Sequence, residues 1–164
     1  MTDLDKVLQT DEYNVISTFY GTRKAERSQV PLMNHIHEGI DILVEQQAST
    51  NAILAFCLHP IVQNDEDIDV SWSPAYLLAL EYKARANSYL CRPETDYIKT
   101  VDDVREVVGP MSIDCLLMLL ADKRQNQKDF IKYHRQTHTR TRELERYFNL
   151  WLSYIHKELS KHER

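Results

Sequence analysis

The sequence predicts an all-α protein, a single compact helical domain of about six or seven helices over residues 1–164. Three observations carry that prediction. Gly and Pro number only 3 and 5, while Leu, Ala, Glu, Lys and Arg abound, a composition suited to helices. Apolar residues recur at helical spacing along most of the chain. Hydrophobic residues make up 43% of 164 residues, enough for one core in a chain too short for two ordinary domains.

The elements follow in order. Residues 4–20 read as one amphipathic helix, with Leu4, Val7, Leu8, Tyr13, Ile16, Phe19 and Tyr20 on its apolar side and Gly21 at its end. Arg23-Lys24-Ala25-Glu26-Arg27 is a basic connector leading to Pro31. Residues 32–46 form a second helix with Ile36, Ile40, Leu43 and Val44 as its core stripe, and His35 beside that stripe. Ser49 or Thr50 caps a third helix over 51–58. It is apolar nearly all round and therefore buried, and Pro60 predicts that it stops or kinks at His59. Residues 63–69 are an acidic, solvated loop.

Ser73-Pro74 opens a helix that runs to about Leu90, with Glu81 and Arg85 spaced to pair on one face. Residues 92–99 connect to a short helix over 101–108, capped by Thr100 and stopped by Gly109-Pro110. Ser112 begins a long helix near 112–136, and a final packing helix spans about 140–158 with a broad apolar and aromatic face. The charged tail from Lys157 to Arg164 is expected to fray.

Composition also excludes. A net charge of −5 gives no global attraction to nucleic acid or to an anionic membrane. No run approaches the about 18–20 apolar residues that a membrane span needs. Met-Thr-Asp-Leu-Asp-Lys at the start carries no apolar signal segment. Cys57, Cys91 and Cys115 are odd in number and lack CxxC spacing, which argues against a disulfide frame or a zinc knuckle. A reducing cytoplasm is the expected setting.

The residue that asks for an explanation is Asp122. It follows Leu116, Leu117, Met118 and Leu119 on the apolar side of the long helix. A carboxylate buried there is costly unless a cation, a donor or a metal pairs with it. His35 and His59 are the two earlier side chains able to join it, although a lone histidine beside a core stripe, as His35 is, reads first as a hydrogen-bonded core histidine.

Three stretches then come in a familiar order: Pro31-Leu32-Met33-Asn34-His35, Ala55-Phe56-Cys57-Leu58-His59, and Leu119-Leu120-Ala121-Asp122-Lys123-Arg124-Gln125-Asn126. Together they resemble the HD-domain phosphohydrolases, nearest the guanosine tetraphosphate hydrolases, the RelA/SpoT hydrolase domain and its small stand-alone relatives. The resemblance covers about residues 20–130. It implies that His35, His59 and Asp122 hold a divalent metal, manganese by the family's habit, and that Arg23 and Lys24 lie near the nucleotide. Lys123 follows the motif too, and by itself reads as an exposed helix lysine.

The chain departs from the family pattern where the His-Asp doublet has Pro60, and where a Glu-Asp pair falls on Gln63 and Asn64. Asp65, Glu38 and Glu81 are the carboxylates near enough in sequence to substitute. Two functional expectations follow from the resemblance. One is a metal-dependent phosphohydrolase acting on a nucleotide. The other is a catalytically degenerate protein on the same fold that binds a nucleotide or a protein partner without turnover. A third reading, from the residues alone, is a helical interaction module working through its aromatic last helix.

Overall fold

A computed structural model describes residues 3–163, and over them the chain is all-helical. The eight α-helices are α1 (Asp3–Leu8), α2 (Asp11–Tyr20), α3 (Met33–Glu45), α4 (Thr50–Gln63), α5 (Tyr76–Asn87), α6 (Val101–Val108), α7 (Ile113–Asp129) and α8 (Thr141–His162). A 3₁₀ turn at Pro93–Thr95 and a π-helical turn at Phe130–His134 complete the order. No described helix is long and apolar enough to cross a membrane. All three cysteines are free thiols.

Thr10 splits the expected first helix in two. Its hydroxyl donates to the Val7 carbonyl at 2.7 Å and accepts from the Tyr13 amide at 3.2 Å, so it closes α1 and opens α2 together. Ser73 is likewise diverted from the cap expected of it. Its hydroxyl accepts from the Ala75 amide and donates to the buried Glu12 carboxylate at 2.6 Å, and α5 starts at Tyr76 instead. Glu81 and Arg85 do not pair with each other. Glu81 takes the amide and hydroxyl of Ser112 at the start of α7, and Arg85 donates to the Val108 carbonyl at the end of α6. Both side chains spend their charge on helix ends, where unpaired backbone groups need partners.

The last helix runs further than expected. Glu158 accepts from Arg105 at 2.8 Å and from Lys161 at 2.9 Å, which holds its final turns down to His162, while Arg164 lies outside the described residues.

One continuous core links these elements. Helix α4 is its axis, packed against α2, α3, α5 and α7. Ten of its fourteen residues are buried, in agreement with its apolar sequence. Gly39 sets how closely α3 approaches it. A Cβ at that position would lie 2.1 Å from Cε1 and Cζ of the Phe56 ring. Glycine in mid-helix costs about 1 kcal/mol relative to alanine, and here it gives the ring its place.

The structure corrects one boundary beside the site. Helix α4 does not end at His59 but continues through Pro60 to Gln63. A proline in a helix removes one amide and leaves the carbonyl four residues earlier without its usual partner. That carbonyl belongs to Phe56, and the His59 ring takes it: Nδ1 lies 2.5 Å from the Phe56 oxygen. The side chain replaces the lost backbone bond, and the helix stays whole.

Candidate metal centre

Helices α3, α4 and α7 each deliver one side chain to a common point. His35 comes from the first turn of α3, His59 from the middle of α4 and Asp122 from the middle of α7. The His35 and His59 Nε2 atoms are 3.3 Å apart. Asp122 Oδ1 is 3.1 Å from the former and 3.6 Å from the latter. His59 and Asp122 are almost fully buried, and His35 keeps a fifth of its side chain exposed. These three residues are a possible metal-binding triad among the described residues.

The donor set fits a divalent ion. Ligands about 2.0–2.2 Å from one ion sit roughly 3.0–3.5 Å from each other, close to the three separations found here. The proton count points the same way. His59 Nδ1 faces a carbonyl, which only accepts, so it carries the hydrogen. His35 Nδ1 is hydrogen-bonded to Gln125 Oε1, also an acceptor. Both neutral rings therefore turn a bare Nε2 lone pair toward a carboxylate oxygen. Three acceptors facing one another need a cation or an extra proton between them. The Tyr82 hydroxyl is buried close to Asp122, and burial together with that charge raises its pKa, but it has no partner within hydrogen-bond distance, and its ring packs 4.9 Å from that of His59.

The charges respond accordingly. Burial opposes protonation of His35, but the hydrogen bond to Asp122 and the carboxylate's charge outweigh it and raise its pKa. Burial lowers the pKa of His59. Burial also works against the Asp122 anion, yet the Lys123 ammonium and the two imidazoles hold its carboxyl well below the usual range. His35, raised, is therefore the ring that takes an extra proton before His59, lowered. A metal must displace that proton, so uptake is expected to weaken as pH falls through the raised His35 value, beginning above the ordinary imidazole value of about 6.5. Equilibrium dialysis with zinc from pH 8 to pH 5 reads this directly, and flat occupancy over that range would contradict the assignment of His35.

Lys123 is not the exposed lysine its spacing suggests. It is 4% exposed. Its ammonium lies 3.0 Å from Asp122 Oδ2 and donates to the Tyr147 hydroxyl at 3.1 Å. The Tyr147 and Trp151 rings of α8 sit 5.3 and 5.5 Å away. Asp122 thus gives one oxygen to Lys123, which links it to the last helix, and the other to the site.

The triad opens on a cleft of about 330 Å³, lined also by Tyr20, Pro60, Gln63, Asn64, Asn126 and Asp129. The substitute carboxylates are committed elsewhere. Asp65 pairs with Lys83, Glu81 with Ser112, and Glu38 with Lys128. Arg23 and Lys24 do not line the cleft. The Arg23 guanidinium donates to the Phe19 and Tyr20 carbonyls at the end of α2 and stacks on the Phe19 ring at 4.8 Å. Sequence reading missed Asp129 and Gln125. Their signal was spacing: Asp122, Gln125, Asn126 and Asp129 fall three, four and seven apart, one face of a helix. No protein family, curated protein or solved structure matches the chain.

Proposed function

We propose that the protein is a metal-dependent phosphohydrolase of the HD type that acts on a nucleotide, with manganese as its ion. The observation that carries the reading is the convergence of two imidazole lone pairs and a carboxylate oxygen at the floor of an open cleft. Three protein ligands with further positions open toward solvent are the arrangement of catalytic rather than structural sites. A divalent ion there supplies Lewis acidity toward a phosphoryl oxygen and lowers the pKa of water.

The chain's own groups do the rest. His59 and Asp122 are the fixed ligands, and His35 faces the cleft. Asn64 and Asn126 offer amide groups on its walls. Asp129 is the remaining carboxylate on that wall, with Oδ2 taken by Gln125 and Oδ1 3.5 Å from Lys128. A second cavity of about 410 Å³ shares Ala25, Ser28, Asn126 and Asp129 with the cleft, and adds Phe130 and Phe148 beside Arg27, His134 and His138. A phosphate at the triad leaves room there for the larger, aromatic part of a nucleotide.

A second reading, binding without turnover, is favoured by Pro60, Gln63 and Asn64. All three line the cleft, and none carries a carboxylate. One experiment separates the two. The protein is purified without chelator, its metal measured by elemental analysis, and manganese-loaded samples screened against nucleotides for phosphate or pyrophosphate release. Bound metal with release that a His35→Gln variant lacks supports the hydrolase. Bound metal and tight nucleotide binding without release, with turnover appearing only in Pro60→Asp, supports the second reading. A protein that takes up no manganese, iron or zinc overturns both metal-based forms.

A further inference from the structure

We propose that Gln125 is a positioning residue that fixes which nitrogen of His35 faces the metal, a proposal that rests on the metal-centre reading above. Gln125 is 1% exposed and sits one turn beyond Asp122 on α7. Its amide is held at both ends. Nε2 donates to Asp129 Oδ2 at 2.6 Å and reaches Glu38 Oε2 at 3.4 Å, and Lys128 in turn pairs with Glu38. Oε1 bonds to His35 Nδ1.

The chemistry allows one orientation. Carboxylates accept and do not donate, so the NH₂ end of the amide must face Asp129 and Glu38. A flip would set the amide oxygen against two anions. With Oε1 therefore facing His35, Nδ1 must carry a hydrogen. Nε2 is then the nitrogen presented to Asp122 and His59. Partners of this kind behind a ligating histidine fix its tautomer and orientation. His59 reaches the same state by a different route, through the Phe56 carbonyl that Pro60 leaves free. The two imidazoles are thus aimed by an acid–amide relay on one side and by a helix proline on the other.

A purely structural role is the competing account, since Gln125 also braces α7 against Glu38 of α3. Two readouts on the full chain separate the accounts: zinc affinity by competition with a chromophoric chelator, and the His35 Nδ1 proton in ¹⁵N-edited NMR, assigned by its absence in His35→Gln. The parent is expected to show a slowly exchanging Nδ1 proton. Gln125→Leu should lose that protection and bind zinc about 10–100-fold more weakly. The triple variant Gln125→Glu with Asp129→Asn and Glu38→Gln reverses the relay, because the outer amides can donate to the new carboxylate, which still accepts from Nδ1, and no carboxylate is left facing it from position 38. It should keep the proton and the affinity.

A folded Gln125→Leu protein with the parent's zinc affinity and its protected proton overturns the proposal. If Gln125→Leu does not fold, the triple variant decides: loss of the protected proton there overturns it equally. If the parent takes up no zinc, the metal-centre reading fails, and the proton in the parent and its variants still decides the relay.

Discussion

Asp122→Ala should abolish metal uptake and also destabilise the fold by about 3–5 kcal/mol, the usual cost of stranding one partner of a buried ion pair. The stranded partner is Lys123, 4% exposed. The Tyr147 hydroxyl and the rings of Tyr147 and Trp151 solvate its ammonium only in part. The pairing with Tyr147 and Asp122 holds the lysine charged against the pull of burial, so removing the carboxylate withdraws a main reason for that charge to be there. The two effects can be parted. Asp122→Ala combined with Lys123→Met replaces the pair by apolar atoms and should recover most of the stability, since buried pairs exchanged whole for hydrophobic groups are often neutral. It should recover none of the metal. Urea unfolding and elemental analysis of parent, single and double variants read both quantities. Metal retained in either variant would remove Asp122 from the site.

The second large effect is expected from the smallest change, Gly39→Ala. Alanine is the better helix former by about 1 kcal/mol, so an open position would be stabilised. Here the new methyl would sit 2.1 Å from two Phe56 ring carbons. Phe56 is fully buried, with its ring 4.5 Å from that of His59 and 5.5 Å from that of His35. Its ring packs on both triad imidazoles, so displacing it is expected to disturb them. A net loss of about 1–3 kcal/mol is expected from overpacking, with weaker zinc binding as the imidazoles shift. Phe56→Leu in the same chain should relieve the clash and return part of the stability. Denaturant midpoints for the three proteins test it, and a Gly39→Ala protein more stable than its parent would show that α3 and α4 have room to part.

The fold class is legible because composition and period agree over the whole chain. Two members of the triad are legible because their chemistry conflicts with their surroundings, Asp122 as a carboxylate after a run of leucines and His59 as a histidine closing an apolar stretch, whereas His35 stands out only through the order of the three motifs. What stays hidden has long-range causes. Lys123 reads as exposed on α7 because nothing local announces that α8 folds over it. Pro60 reads as a helix end because the rule concerns the backbone, and here a side chain repairs the backbone. Thr10 reads as part of a continuous helix because Leu8 and Tyr13 fit its stripe, while the cap that breaks it rests on one hydroxyl. Arg23 and Lys24 read as one basic strip by charge, and the fold turns the Arg23 guanidinium onto carbonyls at the end of its own preceding helix.

The cage around Lys123 also gives the protein an optical handle. The chain has two tryptophans. Trp72 is 48% exposed, whereas Trp151 is fully buried, donates to the Tyr89 carbonyl and lies 5.5 Å from the Lys123 ammonium. That ammonium touches the oxygen of Asp122 opposite the triad. An indole's emission colour follows the electric field along its ring, and this ring sits beside the charge that balances the site. In a Trp72→Phe background, the remaining emission is expected to shift if a cation enters the triad, read from the far side of the carboxylate and without any label.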